Sequence, residues 1–418
     1  MSKQLVIGLY GFGVVGEGIY EVLKNTPTLN AVIKRICIKH ADKKRNAPAS
    51  LFTTESLDIL DDNQINLVVE LIDDADAAYS IVCSALSRGK AVVSANKKML
   101  AEHLPELLEL QKNYEVPLLY EAAVCGSIPV IRNLEEYYDN DMLQGVSGIV
   151  NGSTNFILTQ MLEKDLAYKE ALLQAQALGF AESNPHLDVS GRDAVNKLSI
   201  LLLHAYGIYA NPSDLLYRGI TSVAADDAVY AAEKKLKIKL VASARKLSDN
   251  KIAAFVLPQF VQQDEQLYNV SNEYNGVVIE SKLADKQFLY GKGAGRYPTS
   301  SAVLSDIAAL RYDYKYEYRK LTLPGGFELT NDFYLNVYVS FENSSDVHKW
   351  DFESIDTFYS TQGRHYIRGV IHFEKLRNCS WIDNDKVSVI VLPNGIVQKN
   401  ELVKKSLKHL SLQLAGAS

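Results

Sequence analysis

A glycine fingerprint near the amino terminus, Gly8-Leu9-Tyr10-Gly11-Phe12-Gly13-Val14-Val15-Gly16, most constrains what this chain can fold into. Apolar residues at positions 4–8 predict a strand before it, and the helical spacing of positions 14–23 predicts a helix after it. At such a turn the first glycine permits the tight bend, the second admits a pyrophosphate and the third allows close helix packing. Without this context the motif would be a weak signal. The predicted cofactor contacts are Gly11, Phe12, Gly13, Val14, Val15 and Gly16.

Strands and helices continue to alternate through the first third of the chain. Residues 32–38, 67–72 and 91–94 are predicted strands, and residues 79–87 are a predicted helix. This alternation is typical of an α/β fold with a parallel sheet, so we predict a Rossmann-type dinucleotide-binding domain at residues 1–130. The mixed patterns that follow predict an α+β catalytic and dimerisation domain at residues 131–320. Within it, residues 290–320 are expected to return to the cofactor domain.

Composition and charge exclude several classes of partner. The 418 residues carry a formal net charge of −6, with scattered lysines and arginines, so the chain lacks a basic field for nucleic acid. No stretch has the roughly eighteen apolar residues of a membrane span, and the first strand starts too early for a signal peptide. These features predict a cytoplasmic protein. The cysteines occur singly, which favours inert thiols over a zinc site or a disulfide framework (Cys37, Cys83, Cys125, Cys379).

The end of the second predicted strand bears on the choice of cofactor. NAD sites usually have an acidic residue there to hold the ribose hydroxyls, whereas the 2′-phosphate of NADP needs a cation. This strand ends in Ile38-Lys39-His40 and is followed by Lys43, Lys44 and Arg45. NADP is therefore the predicted cofactor, with Lys39 as a contact, and NAD is the alternative. A solvated basic loop without a binding role is the other interpretation.

Residues 179–197 form a block that is dense in carboxylates and lysine. Asp193 and Lys197 stand four residues apart, on the same side of a predicted helix. Alternatively, Asp193 belongs to a capping box and the two residues form an ordinary exposed ion pair. Glu182 and Asp188 lie just before them, and a zwitterionic amino-acid substrate needs carboxylates for its ammonium group. This combination favours a site for such a substrate.

Two further charged residues follow predicted strands. Ser94-Ala95-Asn96-Lys97 falls at the carboxyl end of a parallel strand, where open α/β sheets bind ligands, so Ser94 and Lys97 are predicted contacts. Lys97 could instead be a surface cation. Glu121 follows the predicted strand at residues 116–120, either as a solvated end charge or, with backbone carbonyls, as a ligand of a monovalent cation.

Several segments, in this order and spacing, resemble homoserine dehydrogenase. Besides the fingerprint and residues 94–97, they are residues 121–129 (EAAVCGSIP), 148–155 (GIVNGSTN), the block at 179–197, and residues 291–299 (GKGAGRYPT). The match covers about residues 4–310, three-quarters of the chain. It implies NAD(P)-dependent interconversion of L-homoserine and L-aspartate 4-semialdehyde with lysine acid–base catalysis, in threonine, isoleucine and methionine synthesis. A homodimer or homotetramer is also expected.

The resemblance implies roles for individual residues. Lys197 is the proton donor or acceptor, Asp193 orients it, and Lys97 contacts the nicotinamide end and the substrate. Glu182 holds the substrate amino group, and Asp188 supports that pocket. The remaining implied contacts are Thr154 and Gly293 to the cofactor, and Glu121, Val124, Gly126 and Ile128 to a sodium ion.

The chain also departs from the family pattern. Asp73, Asp74 and Asp76 stand where relatives commonly carry glycines, which affects the expected cofactor contact there. Lys292 replaces a frequent proline, and Cys125 takes a position often held by glycine. Two other classes remain open. A non-catalytic nicotinamide-dependent sensor should have lost the lysine–carboxylate pair. Another Rossmann semialdehyde oxidoreductase should lack the block at residues 179–197 or carry a nucleophilic cysteine, for which Cys125 is the candidate.

Residues 321–418 predict a small α+β module. Strands are expected at residues 333–341, 366–373 and 387–392, and a closing helix at residues 403–414. Many relatives end in an ACT regulatory domain, but residues 342–351 lack the glycine and the apolar helical stripe of its effector site. Trp350 and Phe352 are expected to pack on the sheet. We therefore predict a degenerate ACT-like module with weak or absent inhibition by L-threonine.

Overall fold

The structure is a computed structural model that describes residues 4–140, 142–248, 250–361 and 363–399. The closing helix predicted at residues 403–414 lies outside the described residues. The elements form two sheets, one in each half of the chain, with helices packed between and around them.

The first sheet has six parallel strands in the order β3-β2-β1-β4-β5-β6. They are β1 (Leu5–Tyr10), β2 (Ala31–Cys37), β3 (Phe52–Thr53), β4 (Leu67–Glu70), β5 (Ala91–Ser94) and β6 (Leu118–Leu119). The helices of this half are α1 (Val14–Asn25), α2 (Leu57–Leu60), α3 (Ala75–Ser87), α4 (Lys97–Tyr114) and α5 (Ala122–Cys125). Every residue of β4 is buried, as expected for a parallel strand covered on both faces. The strand order confirms the predicted Rossmann-type fold and places the ligand crevice between β1 and β4.

The second sheet has eleven strands, nine of which run in the order β12-β11-β7-β9-β10-β17-β14-β16-β15. Its strands are β7 (Leu143–Ile149), β8 (Leu216–Tyr217), β9 (Lys237–Ser248), β10 (Lys251–Val261), β11 (Tyr274–Ser281), β12 (Asp285–Lys292), β13 (Glu328–Leu329), β14 (Tyr334–Phe341), β15 (Phe352–Thr361), β16 (Arg364–His372) and β17 (Val387–Val397). The helices are α6 (Gly152–Glu163), α7 (Tyr168–Ala177), α8 (His186–Val189), α9 (Arg192–Tyr206), α10 (Ala225–Glu233), α11 (Arg296–Leu310) and α12 (Phe373–Asn378). From Asp193 onward every residue of α9 is buried, so this helix runs through the core between the halves.

Helix α11 packs against α1 and brings the second glycine loop next to the first. The helices approach so closely that a Cβ on Gly18 would lie 2.5 Å from Ser300 Oγ. Arg296, at the start of α11, pairs with Glu17 and Glu21 of α1 at 3.4 and 3.2 Å. Residues from opposite ends of the sequence therefore frame the carboxyl edge of the first sheet.

The carboxyl-terminal strands continue the second sheet rather than forming a separate one, since β17 pairs with β10 at Gln259 and Val391. After β14 the chain makes a 3-10 turn at Lys349–Asp351 and enters β15 without a helix. Phe352 packs into the core as expected. The expectation for Trp350 is wrong, because its side chain is 73 % exposed and stacks on His348 instead.

Candidate active site

A buried carboxylate between two lysines marks the candidate site. Asp193 Oδ2 lies 2.8 Å from Lys197 Nζ, and Asp193 Oδ1 lies 2.7 Å from Lys97 Nζ. Asp193 and Lys197 are only 3 % and 7 % exposed, whereas the Lys97 side chain is half-buried. The interpretation of Asp193 and Lys197 as an exposed surface pair is therefore wrong. The capping interpretation is wrong too, since Gly191 occupies the N-cap of α9 without a side-chain cap.

The charges of this group depend on one another. Burial alone would raise the pKa of Asp193, but the ammonium groups of Lys197 and Lys97 hold it well below its ordinary value. In return, Asp193 raises the pKa of Lys97, with smaller contributions from Asp188 and Glu182. Near neutral pH the site therefore contains an ionised carboxylate and a firmly protonated Lys97, which stays a cation and is poorly suited to act as a base.

Asn151 links Asp188 to Asp193, a role that the sequence analysis missed. Its amide nitrogen donates to Asp193 Oδ2 at 2.8 Å and to Asp188 Oδ1 at 2.7 Å. Its amide oxygen caps α6 by accepting from Thr154 N at 2.9 Å. The carbonyl of Val150, just before it, accepts from Lys197 Nζ at 2.6 Å. An asparagine before a Gly-Ser-Thr start is an N-cap signal, but the cap says nothing about the second bond to a distant carboxylate.

Asp188 and Glu182, the two carboxylates predicted to bind the substrate, differ in their surroundings. Asp188 is partly buried, and burial together with the charge of Asp193 raises its pKa. Glu182 is exposed in the loop before α8, where Gln176 Nε2 donates to its backbone carbonyl at 2.9 Å. The Glu182 side chain thus lies at the open rim of the group, close enough to Lys97 to act on its pKa.

The first glycine loop has the room that a pyrophosphate needs. A Cβ on Gly13 would meet nothing within 4 Å, and Gly13 N-caps α1 without any side-chain cap. Gly11 has a φ of +90°, and a Cβ on Gly16 would lie 2.5 Å from the Gly11 carbonyl, so both need glycine. Val14 is exposed, Val15 is partly buried and Phe12 is buried. The open helix N-terminus fits an anionic group.

A basic segment follows β2, which lies next to β3, the terminal strand of the first sheet. Lys39 is exposed. Arg45 folds back on its own loop, donating to the carbonyls of Lys43 and His40 at 2.7 and 2.6 Å. Asp74, one of the departures from the family pattern, caps α3 by accepting from Ala77 N at 3.0 Å.

The second glycine loop rests on the turn after α5. Ser127 donates through both N and Oγ to the Lys292 carbonyl, at 3.2 and 3.0 Å. Gly126 has a φ of +53°, and a Cβ there would lie 2.5 Å from the Gly293 carbonyl. A Cβ on Gly293 would overlap the Asn275 side chain. The close packing explains the glycines at 126 and 293.

Glu121 is buried beside a second carboxylate. Its two oxygens accept from the backbone N–H groups of Ile131 and Arg132, each at 2.9 Å, and its own N–H donates to Asp306 Oδ2 at 2.9 Å. Burial and the charge of Asp306 raise the pKa of Glu121 to about 7. Arg132 pairs with Asp306 at 2.8 Å, so one cation faces two acids. Val124, Gly126 and Ile128 are buried next to it.

Other predicted residues have a supporting place. Ser94 and Thr154 are fully buried, and their hydroxyls donate to Glu70 and to the Asn151 carbonyl, so they hold neighbours of the site rather than line its surface. Cys125 is also fully buried, and burial raises its thiol pKa to about 12. A thiol in that state is inert, which disfavours the nucleophilic-cysteine alternative.

Within the described ranges, no group of three or more His, Cys, Asp or Glu side chains could hold a metal ion. Over the same residues, no helix is both long and apolar enough to cross a bilayer.

Comparison with known proteins gives one consistent result. Residues 129–308 match the family described as homoserine dehydrogenase, and residues 11–121 match the homoserine dehydrogenase NAD-binding domain. The chain is 30% identical over 404 residues to homoserine dehydrogenase of Bacillus subtilis, covering 93% of this chain and 91% of the relative. It is 37% identical over 311 residues to that of Synechocystis, covering 72% of each. The crystal structure of a homoserine dehydrogenase from Thiobacillus denitrificans is similar with a TM-score of 0.82 at 29% identity, covering 94% of this chain and 98% of that one. The chain therefore belongs to the homoserine dehydrogenase family and is an NAD(P)-dependent oxidoreductase.

Proposed function

We propose that this chain interconverts L-homoserine and L-aspartate 4-semialdehyde with Lys197 as the acid–base residue. The observation that carries the assignment is the buried Asp193 carboxylate held between Lys197 and Lys97 at 2.8 and 2.7 Å. Two lysines on one carboxylate give one group for proton transfer and one fixed charge for binding.

The residues divide the work according to their surroundings. Lys97 stays protonated because Asp193 raises its pKa, so it acts as the fixed cation beside the substrate. Lys197 moves the proton of the substrate oxygen. The ammonium form of a lysine is a ready acid for aldehyde reduction, whereas alcohol oxidation needs the neutral amine or a relay through water. Glu182 and Asp188 bind the substrate ammonium group.

A nicotinamide cofactor, when bound, supplies the hydride acceptor or donor. Residues 11–16 would hold its pyrophosphate at the open N-terminus of α1, where Gly13 leaves free space. Gly293, in the second glycine loop, would lie beside the nicotinamide end of the cofactor. Holding both reactants in register supplies several kcal/mol of the barrier reduction, roughly the scale known for proximity.

NADP is the proposed cofactor. Lys39 is exposed at the end of β2, in the position where NAD sites usually carry an acid. Arg45 bonds to its own loop, so Lys39 is the better candidate for the 2′-phosphate. NAD remains the alternative.

A monovalent cation at Glu121 is also proposed, with the carbonyls of Val124, Gly126 and Ile128. The two buried acids face one arginine, so a sodium ion would balance the remaining charge and favour ionised Glu121. The same region supports the second glycine loop through Ser127. Cation binding would therefore act on the cofactor side of the site.

The remaining proposals concern organisation. The proposed domain limits are residues 1–130, 131–320 and 321–418, and the last part is proposed as a degenerate ACT-like module whose described strands extend the sheet of the second domain. A cytoplasmic homodimer or homotetramer is proposed, which cell fractionation and light scattering would test.

A spectrophotometric assay tests the proposed function directly. Purified protein should reduce NADP when L-homoserine is added, and oxidise NADPH when L-aspartate 4-semialdehyde is added. L-serine, which lacks one methylene group, serves as the matched control substrate. No homoserine-dependent reduction of NADP or NAD by folded protein would reject the proposal.

A further inference from the structure

A buried carboxylate that the proposed chemistry does not use lies under the cofactor edge of the first sheet. Glu70 ends β4 and is fully buried. It accepts from Ser94 Oγ at 2.6 Å and from the backbone N–H of Ile72 at 2.7 Å. No lysine or arginine of the described ranges is within ion-pair distance of it. Burying a carboxylate without an ion-pair partner costs free energy, so we asked what its two hydrogen bonds support.

The Ser94 bond leads to Lys97. Ser94 Oγ accepts from the backbone N–H of Asn96 at 3.1 Å, so its own proton must be donated elsewhere, and Glu70 takes it. Asn96 caps α4 by accepting from Met99 N at 3.0 Å. Lys97 is the first residue of α4. Three consecutive hydrogen bonds therefore connect Glu70 to the helix start that presents Lys97 to Asp193.

The Ile72 bond leads to the first glycine loop. A Cβ on Gly11 would lie 2.8 Å from the Leu71 carbonyl and 3.3 Å from Ile72 Cγ2, so the glycine turn rests directly on this segment. Asn96 Nδ2 also donates to the Ile72 carbonyl at 3.1 Å and ties the two branches together. The loops after β1, β4 and β5 thus share one support.

Both donors require an acceptor with two oxygens. Glutamine at this position would present one oxygen and one NH₂ group, and the NH₂ group would oppose one of the two donors. Burial also raises the pKa of Glu70 to about 7, as expected for a carboxyl held by neutral donors alone.

We infer that Glu70 is a positioning residue that acts through Ser94 to fix Lys97 and through Ile72 to fix the floor of the first glycine loop. The inference rests on the proposed function, because it takes Lys97 as a substrate contact and residues 11–16 as the cofactor cradle. Ser94 acts here through its bond to Glu70.

The two branches can be separated with Ser94→Ala and Glu70→Gln. Ser94→Ala breaks only the branch to Lys97, so KM for L-homoserine should rise about fivefold, the effect of one lost hydrogen bond, while kcat and the Kd for NADPH change less than about twofold. Glu70→Gln opposes one donor and also removes the carboxylate charge from the other hydrogen bond, so both branches weaken and the Kd for NADPH should rise as well. Ser94→Thr keeps the hydroxyl and should restore KM.

Ser340→Ala is the matched control. Ser340, in β14 of the second sheet, is also a buried serine, and it donates at 2.7 Å to the buried carboxylate of Asp227 in α10. This variant should lose no more thermal stability than Ser94→Ala, because Tyr338 still donates to Asp227 Oδ1 at 3.1 Å, and it should leave KM and Kd unchanged. Hydrogen exchange gives a readout without activity, since the amides of residues 96–99 should exchange faster in Ser94→Ala and not in Ser340→Ala.

Equal KM values and equal exchange rates in Ser94→Ala and the parent would overturn the inference, as would the same losses in Ser340→Ala. If Glu70→Gln does not fold, Ser94→Ala with its Ser94→Thr rescue still decides the matter. If the parent protein lacks activity with homoserine, the proposed function fails, while exchange rates and NADPH binding still test the support from Glu70.

Discussion

Replacing Lys197 by methionine tests the acid–base assignment most directly. Methionine keeps much of the side-chain length and removes the ammonium group that donates to the Val150 carbonyl and to Asp193. We expect turnover to fall about a hundredfold or more, the usual contribution of a general acid–base group, which corresponds to at least about 2.7 kcal/mol. Asp193 keeps its bonds to Lys97 and Asn151, so its charge stays paired and the variant should fold.

Lys320→Met controls for the loss of a buried lysine. Lys320 is 5 % exposed and also donates to main-chain carbonyls, those of Leu134 and His204. Each variant leaves buried acceptors unsatisfied, which costs about 1–3 kcal/mol per group, so both should lower Tm. Only Lys197→Met should lose turnover, measured by NADPH absorbance, with an unchanged Kd for NADPH by fluorescence titration. Turnover of folded Lys197→Met within about tenfold of the parent would refute the assignment.

Four other results are expected. Asp193→Asn should lower both turnover and Tm at neutral pH. Because the pKa of Asp193 is depressed, the stability that its carboxylate contributes is present above the ordinary pKa of 3.8 and is lost as pH falls below that value. The difference in Tm between the parent and Asp193→Asn should therefore narrow in acid. NADPH should bind more tightly than NADH, and Lys39→Ala should narrow the difference; equal Kd values in the parent would show that this cation does not reach the phosphate. Sodium chloride should raise Tm more than choline chloride does, and Glu121→Gln should abolish the difference. L-threonine should inhibit weakly or not at all, and strong sub-millimolar inhibition that disappears on truncation near residue 325 would contradict this.

Local sequence patterns predicted the cofactor half well because its order is local. Most of its parallel strands are short apolar runs between turn residues, and the helices after β1 and β4 have a period of their own, whereas α4 was not predicted. The predicted strand at residues 91–94 coincides with β5, and the one at 67–72 extends two residues past β4. Those two residues still look apolar, but they have left the ladder to form the loop on which Gly11 rests.

The same patterns could not show how the second half joins together. Residues 333–341, 366–373 and 387–392 were recognised as strands, yet nothing local indicates that β17 pairs with β10 and merges the tail with the catalytic sheet. Trp350 was expected to pack on the sheet, but its side chain is exposed and stacks on His348. Long-range pairing and competition for the core decide these features.

The sequence identified candidate site residues more readily than the contacts between them. The spacing of Asp193 and Lys197 predicts one face of a helix, which the ion pair at 2.8 Å agrees with, but spacing cannot distinguish a surface pair from a buried one. Burial comes from the core position of α9, and the second lysine comes from the start of α4, almost a hundred residues earlier. Asn151 and Glu70 were missed because each forms its hydrogen bonds with a partner that is distant in sequence.

The meeting of three helix starts explains how a carboxylate can stay ionised in this core. Asp193 lies in the first turn of α9, Lys97 is the first residue of α4, and Asn151 is the N-cap of α6. Helix N-termini carry partial positive charge, so each start favours an anion at this point in addition to the two ammonium groups. The ionised carboxylate in turn holds Lys97 and Lys197 in fixed places. A neutral residue at position 193 would leave the like charges of Lys97 and Lys197 facing each other without a carboxylate between them, and for that reason Asp193 should tolerate substitution less well than either lysine alone.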